Sequence, residues 1–266
     1  MCLILLAWNA QREHPLILAA NRDEFFARAT QPAAPWPEAP GVVGGRDLEK
    51  GGSWLALSAT GRLAAVTNFR DGTRGRGGQR SRGLLVSDFV QSELQPSSFL
   101  ADLRGRRDRY DGFNLLVAAD GNLLHYSNVS DEITAVSAGI HGVSNHLLDT
   151  PWPKVERGKQ ALARLLDGGH EDLAAGLFDA LADTRPAPDE KLPSTGVSRE
   201  WERALGRAFI HTPGYGTRAS TVVLIERAGA LTFLERNFDA GGAPVETRAF
   251  QLSPPRPLAP PAWTFA

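Results

Sequence analysis

Cysteine is almost missing from this chain: Cys2 is the single one among 266 residues. That excludes an internal disulfide framework and fits a reducing compartment. An excess of charge is missing too. Lys and Arg number 29 against 30 Asp and Glu, a formal charge of −1. Such a balance gives no global drive toward nucleic acid or an anionic membrane. No apolar run approaches the roughly 20 residues that a spanning helix needs. The run at residues 3–8 also lacks the basic flank and cleavage site of a secretory signal. The expectation is a cytoplasmic protein without a transmembrane segment, in which the Asn128-Val129-Ser130 sequon is idle. Several catalytic signatures are absent as well: HExxH, a Cys/His cluster, a c-type haem attachment sequence, a glycine-rich dinucleotide fingerprint and a Ser-centred nucleophile elbow. The 6 histidines are scattered, and His141 and His146, the nearest pair, read as structural residues rather than metal ligands. No metal site is expected.

What is present is a chain 42% hydrophobic, ample for a core. Apolar runs such as Leu55-Ala56-Leu57, Leu63-Ala64-Ala65-Val66 and Leu115-Leu116-Val117 are separated by glycine and asparagine turns, the mark of hairpins. Helical periodicity covers residues 83–92, 97–104, 153–167 and 171–182, with Ser81 as a cap for the first and Pro153 opening the third. Residues 29–41, rich in Pro and Ala, read as a loop packed over the site through Trp36, and residues 184–200 as an exposed loop. The order of hairpins, two helices, hairpins, two helices and a last hairpin excludes a regular βαβ sheet. It predicts an α+β fold of antiparallel sheets covered by helices. One domain over residues 1–252 and a proline-rich tail at 253–266 complete the expectation.

The chemistry concentrates near the start. Two apolar runs flank a turn containing Asn9, Gln11 and Glu13, and the second run ends in Asn21-Arg22-Asp23-Glu24. Paired antiparallel, the hairpin brings Cys2 beside Arg22 and Asp23. A neighbouring cation lowers a thiol pKa. If the initiator Met1 is trimmed, Cys2 also carries its own base, an α-amine of pKa roughly 7.7–8.0. Nucleophile and base in one residue is the logic of N-terminal-nucleophile hydrolases. The other reading is a small core cysteine, and with Met1 in place the self-based mechanism fails. Asn68 and Asn145 each follow a strand, where a side-chain amide can face a developing oxyanion or cap a turn. Between Arg70 and Arg82 lie Arg74, Arg76 and Arg80 among glycines, a solvated loop, a lid or an anion clamp. As a clamp, Arg70, Arg74, Arg76 and Arg80, together with Asn21, are the candidate ligand-binding residues.

The Asn21-Arg22-Asp23-Glu24 segment after an apolar strand, with Cys2 ahead of it, resembles the NRDE family, also called the transport-and-Golgi-organisation family. Further segments match in order: Gly51-Gly52-Ser53-Trp54-Leu55, Thr67-Asn68-Phe69-Arg70, Ser81-Arg82-Gly83, Gly112-Phe113-Asn114-Leu115-Leu116, Ser144-Asn145 through Asp149-Thr150-Pro151-Trp152-Pro153-Lys154, and Tyr215-Gly216-Thr217-Arg218. That family is similar, more distantly, to the cysteine acylases that cleave penicillin V and conjugated bile salts. The resemblance implies a four-layer αββα sandwich. It also carries the nucleophile onto Cys2, its aspartate onto Asp23, an oxyanion asparagine onto Asn68, a second asparagine onto Asn145 and a later arginine onto Arg218. One departure stands out. In the acylases an arginine precedes the motif asparagine, where this chain has Ala20; here it follows as Arg22, which the pleat would turn to the other face.

Two functional expectations result. One is hydrolysis of a linear acyl-amide, without a cofactor, by Cys2, Arg22, Asp23, Asn68, Asn145 and Arg218. The other is a carrier for an amphipathic ligand, with haem or acyl-CoA implied by the resemblance, in the same pocket. The basic loop would then meet CoA phosphates or haem propionates.

Overall fold

The computed structural model describes residues 2–72, 77–168 and 172–252. The expected tail at 253–266 and the arginines at 74 and 76 lie outside the described residues. Strand β1 (Cys2–Trp8) pairs antiparallel with β2 (Leu16–Phe25), the hairpin expected from the two apolar runs. Then come β3 (Thr30–Trp36), β4 (Ala39–Asp47), β5 (Leu55–Ser58) and β6 (Leu63–Asn68). Helices α1 (Gly83–Gln91) and α2 (Pro96–Arg104) follow, then β7 (Phe113–Ala119), β8 (Asn122–Ser127), β9 (Glu132–Ala135) and β10 (Gly139–Val143). The second half holds α3 (Pro153–Asp167), α4 (Leu173–Leu181), α5 (Arg199–Leu205), β11 (His211–Thr212), β12 (Tyr215–Ile225), β13 (Leu231–Phe238) and β14 (Pro244–Leu252).

Two seven-stranded antiparallel sheets result. The first runs β10-β1-β2-β12-β13-β14, with the short β11 on β12, and the second runs β3 through β9 in sequence order. Leu18, Leu57, Leu116, Val223 and Phe233 pack between the sheets. The outer face of the second sheet carries Leu85, Phe89, Phe99 and Leu103 from α1 and α2. On the outer face of the first, Leu3, Leu5 and Ile17 meet Val155, Leu162 and Leu177 from α3 and α4. This is the four-layer αββα sandwich, and each strand of the β1–β2 hairpin sends alternate residues to different layers. Among the described residues no helix is long and apolar enough to cross a membrane.

Three local expectations are corrected. Residues 29–41 are not a loop but most of β3 and the start of β4. Prolines 32 and 35 are tolerated because β3 is an edge strand, where a missing N–H leaves no neighbour unpaired. Trp36 does not cover the hairpin end: it packs with the α1–α2 layer and donates its indole N–H to the Gly44 carbonyl at 2.9 Å. Ser81 does not cap α1. The cap position is Arg82, with no side-chain cap bond, while the Ser81 hydroxyl reaches the Gly51 carbonyl at 3.4 Å.

Helix α3 sits close against β1 because Gly158 has no side chain. A Cβ there would stand 2.6 Å from Leu5 Cδ2. Gly158→Ala is expected to destabilise the protein by about 1–3 kcal/mol through overpacking, read as a lowered urea midpoint with an unchanged slope. An unchanged midpoint would show that α3 can shift freely on the sheet.

Candidate active site

Strand β2 lies between β1 and β12, so its polar end has neighbours on both sides. Cys2 stands opposite Arg22, and Asp23 opposite Thr217. The β12 register shifts between Thr217 and Ala219, a bulge at Arg218. Alternation then splits the motif. Asn21 and Asp23 share the outer, helix-covered face; Arg22 faces the space between the sheets.

On the outer face, Asn21 is 1% exposed and fully engaged. Its amide donates to the carbonyls of Leu181 and Ala208, each at 2.9 Å, and its Oδ1 accepts the Ser220 hydroxyl at 2.6 Å. Asp23 is equally buried and accepts the Thr217 hydroxyl at 2.7 Å. The Tyr215 hydroxyl donates to its main-chain carbonyl at 3.2 Å. Burial pushes the Asp23 carboxyl above the usual range, against the pull of the Lys154 charge, the Thr217 hydroxyl and Arg22. Lys154, the second residue of α3, is itself only 1% exposed. An apolar environment tolerates such a lysine only beside a compensating charge.

On the inner face, the Arg22 guanidinium lies over the Trp54 ring, 4.3 Å from its centroid, and donates to the Thr30 hydroxyl at 3.2 Å. Trp54 and Ala20 belong to the same inter-sheet core. The expected turn to the other face is therefore wrong: residues 20 and 22, two apart in a continuous strand, share a face. Arg22 occupies the side of the strand on which an arginine at position 20 would lie. Deeper in the same layer is Glu235, fully buried, which accepts the Ala33 N–H at 2.6 Å and so ties β13 to β3. Burial raises its pKa, opposed by that N–H and by the Arg22 charge.

The second sheet and the β10–α3 connection close the same end. Strand β10 leaves β1 with Val143 opposite Ile4, two residues before Asn145. The Asn145 amide donates to the Asn68 carbonyl at 2.9 Å, and the Arg70 N–H donates to the Asn145 carbonyl at 2.7 Å. Asn68 and Asn145 are thus brought together, and β6 approaches β1 across the inter-sheet layer. Among the described residues, the Asn68 side chain makes no hydrogen bond. Arg70 is buried between the Trp152 ring, 4.6 Å away, and Glu202 of α5, at 2.9 Å. Glu202 also accepts the N–H and hydroxyl of Thr195.

Other candidates sit elsewhere. The Arg218 guanidinium donates to the carbonyls of Phe25, Phe26 and Arg28 at 3.0–3.3 Å, pinning the β2–β3 turn. Arg80 lies near Asp88, at 3.9 Å, and near the Tyr110 ring. Among the described residues no group of three or more His, Cys, Asp or Glu could hold a metal ion. A shallow cavity of about 540 Å³ opens between Arg62, Glu38 and Asp120, away from all of these groups.

Histidines brace the Asn145 turn. His141 bonds Asp149 at 2.6 Å and the Ser137 carbonyl at 2.9 Å, which holds its pKa above the usual value, the Asp149 bond being the main cause. His125 bonds Asn114 Oδ1 at 3.2 Å, and the Asn114 amide donates to Thr67 and to the His146 carbonyl. Lys154, Glu235, Glu202 and His125 are site neighbours that sequence reasoning missed. Lys154 had a signal, as the last residue of a motif; the others are charged or polar positions in ordinary strands and helices.

The chain matches the family model described as Transport and Golgi organisation 2 over residues 1–240. It is 36% identical over 260 residues to the Transport and Golgi organization protein 2 homolog of Bos taurus, covering 89% of this chain and 93% of that one. Against the Homo sapiens homolog identity is 32% over 274 residues, with 95% and 99% covered. Among solved structures, a mutant conjugated bile acid hydrolase from Clostridium perfringens superposes with a TM-score of 0.50 at 8% identity, covering 95% of this chain and 92% of that one. The likeness is one of fold, the four-layer αββα sandwich.

Burial lowers the His125 pKa from 6.5 to about 4. The native ring therefore stays neutral while the unfolded chain takes up a proton. Stability must fall as pH drops from 6.5 toward 4, by about 3 kcal/mol in total. His125→Gln keeps a donor to Asn114 and should flatten that part of the pH profile in urea titrations. Parallel losses in both proteins would exclude His125 as the cause.

Proposed function

The chain belongs to the Transport and Golgi organisation 2 family, and from that premise we propose that it hydrolyses a linear or small acyl-amide with Cys2 as N-terminal nucleophile. The observation that carries the reading is the pairing of Cys2 with Arg22 beside a buried, hydroxyl-bonded Asp23. Residues opposite in an antiparallel ladder share a face. The Arg22 cation opposite Cys2 in the ladder is itself held against the Trp54 ring.

In this mechanism removal of Met1 frees the Cys2 α-amine, which takes the thiol proton. The thiolate adds to the amide carbonyl. Asn68, anchored through its carbonyl by Asn145, donates its side-chain N–H to the oxyanion, a contribution of roughly 3–4 kcal/mol in serine hydrolases. The ammonium returns the proton to the leaving amine as the C–N bond breaks, leaving a thioester on Cys2. Water, deprotonated by the same amine, attacks the thioester, releases the carboxylic acid and restores the thiol. Asp23 orients the amine throughout. Arg218 contributes by holding the β2–β3 turn and not by touching substrate.

A second reading has its own support. The amides and guanidinium that an acylase would aim at substrate are partly engaged here, Asn145 by the Asn68 carbonyl and Arg218 by three carbonyls. That favours a carrier in which Cys2 is idle and an amphipathic ligand, haem or acyl-CoA, occupies the same end of the sandwich.

The intact mass of protein from its native cell should show Met1 removed. Cys2→Ala should then lower turnover of an acyl-amide panel by at least about a thousandfold, with the urea midpoint preserved. Retained Met1, or turnover surviving in Cys2→Ala, defeats the hydrolase. Saturable binding of haem or acyl-CoA by that same protein would support the carrier.

A further inference from the structure

His141, in β10, has an acceptor on each ring nitrogen. Nδ1 meets Asp149 Oδ2 at 2.6 Å, and Nε2 meets the Ser137 carbonyl at 2.9 Å. Asp149 is a carboxylate, because its Oδ1 takes the Gly142 N–H at 3.0 Å and Lys159 Nζ at 3.2 Å. Neither partner of the ring can donate, so both ring nitrogens must. A neutral imidazole has one N–H and would turn a lone pair against an oxygen. The side chain is therefore an imidazolium in this fold. Among the described residues, the charged groups around it are Asp149 from the turn and Lys159 from α3, with Glu156 of α3 3.4 Å from Lys159. On its other side β1 sets Leu6 opposite it.

Asp149 uses its remaining groups as a clasp. Its N–H donates to the Gly142 carbonyl at 2.8 Å while its carboxylate takes the Gly142 N–H, so residues 142–149 form a closed loop at the edge of the first sheet. Asp149 holds φ at +57°, a left-handed conformation that a residue with a side chain keeps only when its surroundings enforce it. Asn145 lies midway along the loop. Its carbonyl accepts the Arg70 N–H and its amide donates to the Asn68 carbonyl. We propose that His141 is a positioning residue: as an imidazolium it holds Asp149 in the clasp that seats Asn145 against Asn68, and loss of its proton loosens that seat. The Asn145 turn serves the hydrolase and the carrier alike, so the inference rests on neither reading. The Asp149 bond holds the His141 pKa above the usual 6.5. The clasp is therefore fully formed below 6.5 and is lost as pH rises through the raised value. His125 acts with the opposite sign, its contribution being lost on acidification. A His141 that merely filled space would hold the loop equally at every pH.

The test is amide hydrogen exchange of the purified full chain, followed residue by residue by NMR from about pH 5.5 to 8.5, the range in which histidines titrate. Rates are corrected for the pH dependence of exchange itself, and the ring nitrogen signals of the same samples report the charge of His141. Protection of the Gly142 and Asp149 amides should fall at least about tenfold as His141 loses its proton, and the Arg70 amide should follow the same curve. In His141→Gln, which has no proton to lose, protection of these three amides should be low at the acid end and flat across the series. A His141 ring already neutral at the acid end overturns the inference, as does protection that does not follow its titration. A loss at Gly142 and Asp149 that leaves the Arg70 amide unchanged overturns it too, since the clasp would then not reach Asn145. The same pH dependence in His141→Gln would assign the effect to another group, such as His146 in the same turn, and overturn it. The ring signals and the three amides are read in the unaltered protein, so they decide the matter even if His141→Gln fails to fold.

Discussion

A central strand that ends in four polar residues sets the problem that the rest of this structure solves. β2 is flanked by β1 and β12 and covered on both faces, so Asn21, Arg22 and Asp23 are buried. Each unsatisfied polar group there would cost on the order of 1–3 kcal/mol, and more for a charge. The partners come from far along the chain. Carbonyls before and after α5 take the Asn21 amide, β12 supplies hydroxyls to Asn21 and Asp23, α3 brings Lys154, and Trp54 offers a ring to Arg22. The final assembly of this end therefore waits on nearly the whole chain.

Alternation along β2 gives that assembly two separate electrostatic compartments. The outer one holds Asp23 with Lys154, the inner one Arg22 with Glu235. Cys2 stands at the strand position between them. A buried ion pair, Arg70 with Glu202, fastens α5 to the loop after Asn68. Buried pairs of this kind add little net stability, but losing one partner is expensive.

Antiparallel sheets covered by helices were legible in the sequence because its strands are apolar runs and its helices carry clear stripes, as α3 does from Pro153 to Asp167, and the four-layer sandwich was implied by the family resemblance. The Cys2–Arg22 juxtaposition was legible too, since a short turn leaves one simple register. β3 was not, because its alanines and prolines carry no period and only its place at a sheet edge permits them. The face of Arg22 was misjudged by comparing it with a neighbour and not with the residue two places away. The commitment of Arg70 to Glu202, 132 positions on, and of Arg218 to the turn beside β2, has no sequence signal. Long-range polar pairing leaves no periodicity behind.

By itself, then, the sequence determined which segments pair locally, where its polar motifs fall, and that one cysteine lies beside an arginine and an aspartate. These follow from periodicity of 2 and 3.6 and from short turns, which are local properties. Only the tertiary structure decided which face each motif residue serves, which cations meet which carboxylates, and that Lys154 and Glu235 belong to the neighbourhood of Cys2. Those outcomes depend on how two sheets and their covering helices stack, and stacking is settled by the burial of whole faces and not by any single stretch of chain.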